Sequence, residues 1–187
     1  MNIIDRLRGK HSEDERRIED LGPQVQEMID GVVKLTSITV KEIMVPRPDV
    51  VFASLETTSE ELLAIITDSG HSRLPVYHKN VDEIVGVLYA KDLLAQVIGN
   101  GQSVNLGKAM RRPYFVPESK RVDELLHEFQ RRRVHLAIVV DEYGGTSGIA
   151  CLEDILEEIV GDIQDEFDNE SEEVLRAGAG VYLCDAR

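Results

Sequence analysis

The sequence predicts an α+β fold made of two similar βαββα units, related by a pseudo-twofold axis and preceded by an N-terminal helix. The first observation behind this prediction is a repeat: GVLYAKDLL at residues 86–94 returns as GIACLEDIL at 148–156. The segments upstream of each copy match at nearly the same spacing, which defines two units of roughly 60 residues. Within each unit, short apolar runs typical of strands alternate with amphipathic helical patterns.

A helical segment is predicted over residues 1–38. Its central part, PQVQEMIDGVVKL, starts with Pro23, and proline is favoured in the first turn of a helix. The apolar stripe of this helix consists of Val25, Met28, Ile29 and Val32. We expect the stripe to pack against the two units.

The first unit is predicted over residues 39–101. Its three strands are predicted over 50–52, 74–77 and 84–89. The first helix begins at TSEE, residues 58–61, because this sequence offers an N-cap and an acidic first turn, and it ends at Gly70. The second helix begins at Lys91 and Asp92.

The second unit is predicted over residues 102–163. The sequence EYGG at 142–145 is typical of a hairpin turn, and it joins strands predicted at 138–140 and 146–150. Each small sheet has one apolar face. We expect the two units to bury these faces against each other.

The composition excludes several classes of function. The net charge of -14 argues against binding to nucleic acid or to an anionic membrane surface, since both need clustered Lys and Arg. The two cysteines, Cys151 and Cys184, form no CxxC pair, which argues against a disulfide scaffold and a thiolate zinc site. No apolar run is long enough to cross a bilayer, and the N-terminus is too polar for a signal peptide. A cytoplasmic protein is therefore expected, at most peripheral to the inner membrane.

Five segments, in order, resemble the tandem cystathionine-β-synthase (CBS) domain pair of the CorC/HlyC family. They are IMVPRPDV, HSRLPVY, AKDLL, VDEYGGTSGI and LEDILEEIVGDIQDEFD, and the resemblance spans residues 24–168. Proteins of this family are associated with magnesium and cobalt efflux and often carry a C-terminal transporter-associated domain. The resemblance implies that residues 164–187 are an acidic linker and the truncated start of that domain. It also implies a membrane transporter as a partner.

The resemblance further implies a regulatory pair that binds an adenine nucleotide, AMP or ATP, in clefts between the units, with Mg²⁺ carried on the phosphates. A carboxylate at a strand-to-helix junction can accept hydrogen bonds from both ribose hydroxyls. Asp154 is the residue implied for this role, and Asp92 is its counterpart in the first unit. The alternative is that each aspartate serves only the first turn of its own helix.

The sequence departs from the family pattern three residues before each aspartate. The family usually has Ser or Thr there, whereas this chain has Cys151 and Tyr89. A thiol is a weak hydrogen-bond donor and a phenol is bulky. We therefore expect binding of reduced affinity in the second unit and, in the first, either an obstructed site or a different use of the phenol. Cys151 is not expected to be a nucleophile, because no base lies in its motif.

Other ligand contacts follow from the matching family positions. The residues implied for the adenine are Tyr114, Phe115, Val116 and Val51, although the two valines also suit an ordinary core. The residues implied for the phosphates are Ser72, Arg73 and His135. The arginines at 131–133 are interpreted as a structural helix end.

No nucleophile, base and orienting group occur together, so an enzyme is not expected and no catalytic or metal site is assigned. The acidic run at 153–173 is interpreted as a solvated helix face and linker. A twofold homodimer is expected through the helix faces of Leu62, Leu63 and Ile66 and of Leu125, Leu126 and Phe129. The alternative to nucleotide sensing is a docking scaffold with degenerate nucleotide sites.

Overall fold

The computed structural model describes residues 22–100 and 106–161, together with the backbone of 174–178 and 181–184. The helices are α1 (Pro23–Lys34), α2 (Val40–Ile43), α3 (Ser59–Ser69), α4 (Ala90–Asn100), α5 (Leu106–Ala109), α6 (Val122–Arg132) and α7 (Leu152–Val160). The strands are β1 (Val45–Pro46), β2 (Ala53–Ser54), β3 (Arg73–Tyr77), β4 (Ile84–Tyr89), β5 (Met110–Arg111), β6 (Phe115–Pro117), β7 (Leu136–Val140), β8 (Thr146–Cys151), β9 (Val174–Gly178) and β10 (Val181–Cys184).

Two mixed sheets of four strands confirm the predicted α+β fold. Their strand orders are β2-β3-β4-β5 and β1-β8-β7-β6. The strand of the first unit that was expected at 50–52 is Ala53–Ser54 instead. The reason is that pairing with β3 begins only at Ala53, opposite Val76, and the residues before it follow a 3₁₀ turn at Arg47–Asp49.

The two units exchange their leading strands. Strand β1 is the first strand of the first unit in sequence, yet it pairs antiparallel with β8 of the second. Strand β5 is the first strand of the second unit and pairs antiparallel with β4 of the first. This exchange was not predicted, and it ties each sheet to the other half of the chain.

The repeated glycines lie where the exchanged strands cross. A Cβ atom at Gly148 would lie 2.1 Å from the carbonyl oxygen of Val45 in β1. A Cβ atom at Gly86 would lie 2.8 Å from the side chain of Met110 in β5. Because real Cβ atoms do not approach other atoms this closely, the absence of a side chain is what admits the exchanged strand.

Three apolar clusters form the core. One lies in each unit, and a third joins the two sheets through Ile84, Val87, Leu136 and Ile138. The helix faces expected to dimerise are used within the units: Leu62 and Leu125 are fully buried and Phe129 is 1% exposed. These three side chains are therefore not available to a second copy, whereas Leu63, Ile66 and Leu126 are only partly buried. The homodimer stays a prediction.

Helix α1 packs on α7 through its C-terminal half alone. A Cβ atom at Gly31 would lie 2.6 Å from the carbonyl oxygen of Glu158, and Lys34 Nζ lies 2.7 Å from Glu158 Oε2. Leu35, just after the helix, is buried in the core of the second unit. The predicted stripe differs from this contact, since Val25, Met28 and Val32 are exposed.

The first helix of each unit ends in a left-handed residue. Helix α3 begins with the predicted N-cap, since Thr58 N–H donates to Glu61 Oε2 at 2.9 Å, and it ends at Gly70 with φ 68°. Helix α6 ends at Arg133 with φ 54°. Arg133 is the one non-glycine residue with positive φ among the described residues. Glycine adopts this conformation without strain, whereas an arginine does so at a cost.

Strands β9 and β10 form an antiparallel pair in the C-terminal tail, where a strand was expected. The predicted linker at 164–173 lies outside the described residues. Within residues 22–100 and 106–161, no helix combines the length and apolar character needed to cross a membrane.

Candidate functional site

The predicted ribose residue, Asp154, lines a cavity of about 300 Å³ between the two units, called the Asp154 cavity. The first unit contributes the 3₁₀ turn and the residues after it, and the start of β3. The second unit contributes β7, the end of β8 and the first turn of α7. The lining residues are Val45, Asp49, Val50, Val51, Gly70, His71, Ser72, Arg73, Leu136, Ile149, Cys151, Glu153 and Asp154.

Strand exchange fastens the 3₁₀ turn that precedes Val51 to the second unit. The register Val45↔Ile149 and Pro46↔Gly148 is antiparallel, so the residues after β1 run toward Thr146 at the start of β8. Val51, after the turn, lines the same cavity as Asp154. Arg47 in the 3₁₀ turn is held by Asp82, with Nη1 to Oδ1 at 2.8 Å. The same Asp82 oxygen accepts the Thr146 N–H at 2.9 Å. The turn is thus fastened to the β3–β4 loop and to β8 together.

Asp154 caps its own helix and still has one carboxylate oxygen that can bind a ligand. Its Oδ2 accepts the Cys151 N–H at 2.6 Å, which satisfies the first turn of α7. Among the described residues nothing donates to its other oxygen. Burial raises the pKa of the carboxyl, the hydrogen bond from Cys151 lowers it in part, and the charges of Glu153 and Glu157 raise it further. The structural role and the ligand role are therefore compatible.

Cys151 lies in the same cavity as a protonated thiol. Burial, with the charges of Asp154 and Glu153, raises the pKa of Cys151 to about 12. At neutral pH the thiolate, which is the nucleophilic form, is essentially absent. Cys151 can contribute a weak hydrogen bond and shape to the cavity.

Arg73 lies where two cavities meet. One of its terminal nitrogens donates to Glu153 Oε1 at 2.9 Å, and the other lies 3.2 Å from His135 Nδ1. Because a guanidinium only donates, His135 Nδ1 is the acceptor in this contact. The Arg73 Nε is buried and has no hydrogen-bond partner among the described residues. Within the same part of the chain, only the Arg73 guanidinium brings a permanent positive charge to both cavities.

The second cavity, called the Tyr89 cavity, has a volume of about 530 Å³ and occupies the corresponding place in the repeat. Its lining residues are Ser72, Arg73, Tyr89, Ala90, Lys91, Leu94, Arg111, Arg133 and His135. Arg111, from the exchanged strand β5, stacks on the Tyr89 ring with its Cζ 4.0 Å from the ring centroid. It also donates to Asp92 Oδ2, at 2.8 Å from Nη2 and 3.1 Å from Nε. Both bonds end on Oδ2 of Asp92, so this carboxylate is paired with a cation. Among the described residues Asp154 has no such cation, and nothing donates to the other oxygen of either aspartate.

The structure brings together five of the sequence-predicted residues, Asp154, Cys151, Val51, Ser72 and Arg73, in the Asp154 cavity. It places His135 in the Tyr89 cavity and Asp92 beside it. The three residues predicted for adenine in the second unit line neither cavity. Tyr114 donates to the Glu128 carboxylate and packs edge-on against Phe129, Phe115 is half-exposed, and Val116 is buried in the core.

Two charged residues were missed. Glu153 forms an ion pair with Arg73. Its position next to Asp154 in the sequence could have indicated that it belongs to the site. Arg111 forms an ion pair with Asp92, and its position there depends on the strand exchange. No group of three or more His, Cys, Asp or Glu side chains suited to a metal ion occurs among the residues that the structure describes.

Comparison with known proteins agrees with the fold of two similar units. The CBS domain family model matches residues 40–99 and 106–161. Hemolysin C of Brachyspira hyodysenteriae is 45% identical over 162 residues, which are 87% of this chain and 59% of that protein. The magnesium and cobalt efflux protein CorC of Vibrio cholerae is 47% identical over 151 residues, 81% of this chain and 52% of that protein. This chain therefore spans about half the length of the curated relatives it matches.

Two solved structures carry nucleotides. The CBS domain of a bacterial CNNM/CorC family Mg²⁺ transporter in complex with ATP has a TM-score of 0.71 and 48% identity, over 75% of this chain and all of that one. A CBS-domain pair with bound AMP from Klebsiella pneumoniae has a TM-score of 0.60 and 32% identity, over 66% of this chain and 99% of that one.

Proposed function

The chain belongs to the CBS domain family, as a CBS pair of the CorC type, and on that premise we propose that its Asp154 cavity binds an adenine nucleotide. Binding regulates a protein of magnesium and cobalt homeostasis. The observation that carries this proposal is the open carboxylate oxygen of Asp154 in a cavity formed by both units. Related CBS pairs that hold ATP and AMP support it.

Each part of a nucleotide meets a suitable group in this cavity. The ribose hydroxyls donate to the open oxygen of Asp154, and charge-assisted bonds of this kind are short and strong. The adenine lies against Val50 and Val51, which line the cavity after the 3₁₀ turn. The phosphates reach Ser72 and Arg73, which line the cavity at the start of β3.

In this scheme Mg²⁺ neutralises a repulsion between the phosphates and Glu153. Arg73 is already paired with Glu153, whose side chain is 59% exposed. A phosphate that approaches Arg73 meets the negative charge of Glu153 as well. A divalent cation carried on the phosphates removes that repulsion, since carboxylate and phosphate oxygens are the ligands Mg²⁺ prefers.

A calorimetric titration with AMP, ADP and ATP, each with and without Mg²⁺, tests the nucleotide proposal. We expect one site per chain, with an affinity for ATP that rises when Mg²⁺ is present. A ligand present at 100 times its Kd stabilises the native protein by about 2.7 kcal/mol, so a melting curve provides an independent readout. The absence of both heat and melting shift with all three nucleotides would contradict the proposal.

The role in the whole protein follows from the relatives. We propose that the pair acts on the cytoplasmic side, as a non-catalytic regulatory module of a membrane transporter. Adenine nucleotides are its small-molecule partner, and nucleic acid is not. One observation favours the second candidate function, a docking scaffold with degenerate nucleotide sites. In the first-unit site, Arg111 pairs with the Asp92 carboxylate.

We also propose a twofold homodimer, now through α1 and α7. These two helices contact each other and both expose apolar side chains, among them Val32, Val33, Leu156 and Val160. Burying such a surface against its own copy is the usual way to a C₂ assembly.

Light scattering at micromolar concentration tests this assembly. We expect the mass of a dimer for the wild type, and Val33→Glu should weaken dimerisation at least tenfold, because a carboxylate then enters an apolar contact. Gln24→Glu on the same helix adds the same charge outside the stripe and serves as the control. A wild-type monomer, or equal effects of the two changes, would count against the dimer through α1.

A further inference from the structure

We propose that the Tyr89 cavity is an oxyanion site, which binds a small multivalent anion of the phosphate class without adenosine. This goes beyond the nucleotide proposed for the Asp154 cavity. The carboxylate of this cavity is already neutralised, because Arg111 pairs with Asp92 through two hydrogen bonds to Oδ2. What remains around Tyr89 is a set of cations.

The charge balance of the Tyr89 cavity is positive, although the chain carries a net charge of -14. Arg73 and Arg111 each have one carboxylate partner, Glu153 and Asp92 respectively. Lys91 and Arg133 also line the cavity, and among the described residues neither has an ion-pair partner. Two uncompensated cations in one concave site attract an anion of matching charge.

The hydrogen-bond donors of the Tyr89 cavity suit the oxygen atoms of a phosphate-class anion. Guanidinium groups present planar forks of N–H donors that match the spacing of phosphate oxygens. The Arg73 Nε is buried without a partner, and an unsatisfied buried donor is costly. Arg111 is held flat against Tyr89, so its orientation is fixed before an anion arrives.

Arg133 gives independent support. It ends α6 in the left-handed conformation, with φ 54°, at the place where Gly70 ends α3. Glycine there relieves strain, so an arginine in this conformation indicates that its side chain has a use. That side chain lies in the Tyr89 cavity.

Titration calorimetry with inorganic pyrophosphate, in buffer without Mg²⁺, tests the oxyanion site in the full chain. We expect Arg133→Gly to weaken pyrophosphate binding at least tenfold, equivalent to about 1.4 kcal/mol. The melting temperature of Arg133→Gly should equal or exceed that of the wild type, because the strain is removed. Lys91→Gln, in an exposed first-turn position, should weaken binding in the same direction. Arg131→Gln, next to the site but outside the cavity, should bind within about twofold of the wild type.

The outcomes separate this proposal from the nucleotide proposal. AMP affinity should stay within about twofold in Arg133→Gly, because Arg133 does not line the Asp154 cavity. If ATP but not pyrophosphate depends on Arg133, the phosphate chemistry is supported and its source is the tail of a nucleotide. If wild-type protein binds pyrophosphate no more tightly than both Arg133→Gly and Lys91→Gln, the oxyanion site is wrong, whatever AMP does.

Discussion

Gly148→Ala should destabilise the protein more than any other single methyl addition described above. The new Cβ atom would lie 2.1 Å from the Val45 carbonyl oxygen, a backbone atom of a paired strand. Added methyl groups in packed sites commonly cost about 1–3 kcal/mol, and we expect about 3 kcal/mol or more here because the obstacle cannot rotate away. The free energy of unfolding from urea denaturation measures this.

Gly86→Ala is the matched control for Gly148→Ala. It lies at the equivalent position of the first unit, but its new Cβ atom meets the side chain of Met110 at 2.8 Å. Methionine is flexible, so part of the contact can relax, and we expect a loss of roughly 1–2 kcal/mol. Equal losses for the two variants would show that β1 moves as easily as a side chain, contrary to this account.

The same substitution connects stability with binding. The register of β1 on β8 sets the position of the 3₁₀ turn and of Val51 in the Asp154 cavity. Gly148→Ala should therefore weaken nucleotide binding in the fraction of protein that stays folded. Gly86→Ala, which disturbs the β4–β5 crossing, should leave that affinity closer to the wild-type value.

Asp154→Ala should remove most of the nucleotide affinity. A hydrogen bond to a charged group contributes about 1.5–3 kcal/mol, so the Kd should rise roughly 10- to 150-fold. Asp92→Ala should change AMP affinity little, because Arg111 already neutralises that carboxylate in an ion pair. Calorimetry with AMP on the two variants measures the difference, and similar losses would contradict the asymmetry between the sites.

The pH dependence of binding gives a second readout for Asp154. Burial raises the pKa of its carboxyl, so protonation begins at a higher pH than for an exposed aspartate. Since the charged form accepts the ribose bonds, AMP affinity should be full above this pKa and should fall as the pH is lowered through it. In Asp154→Ala that dependence should disappear from the titration.

Much of the fold was predictable because its signals are local. The repeated segments at Gly86 and Gly148, the N-cap at Thr58 and the glycine end of α3 all follow from neighbouring residues. The strand exchange was not predictable in this way. Strands β1 and β5 have two residues each, too few to show periodicity, and their partners are distant in sequence.

The candidate site likewise has residues that could be predicted from the sequence and residues that could not. Asp154 and Cys151 lie in one motif, so the sequence places them together, and the turn just before Val51 lies in a segment that resembles the family. Arg111 closes Asp92 only because β5 crosses into the first unit. The burial of Leu125 and Phe129 was not predictable for a related reason: an apolar stripe has the same sequence pattern whether its own sheet or another copy covers it.

The crossing of β1 and β5 also bears on how the chain acquires its structure. Neither half can complete its sheet alone, since a chain cut between the units leaves β4 or β8 with an open edge. Open edges pair with other molecules, so an isolated half should aggregate rather than stay monomeric. The two halves must therefore fold as one cooperative unit, and hydrogen exchange should show one shared global opening for the buried amides of β4 and β8. A single ancestral repeat would have met the same need by pairing with a second copy of itself.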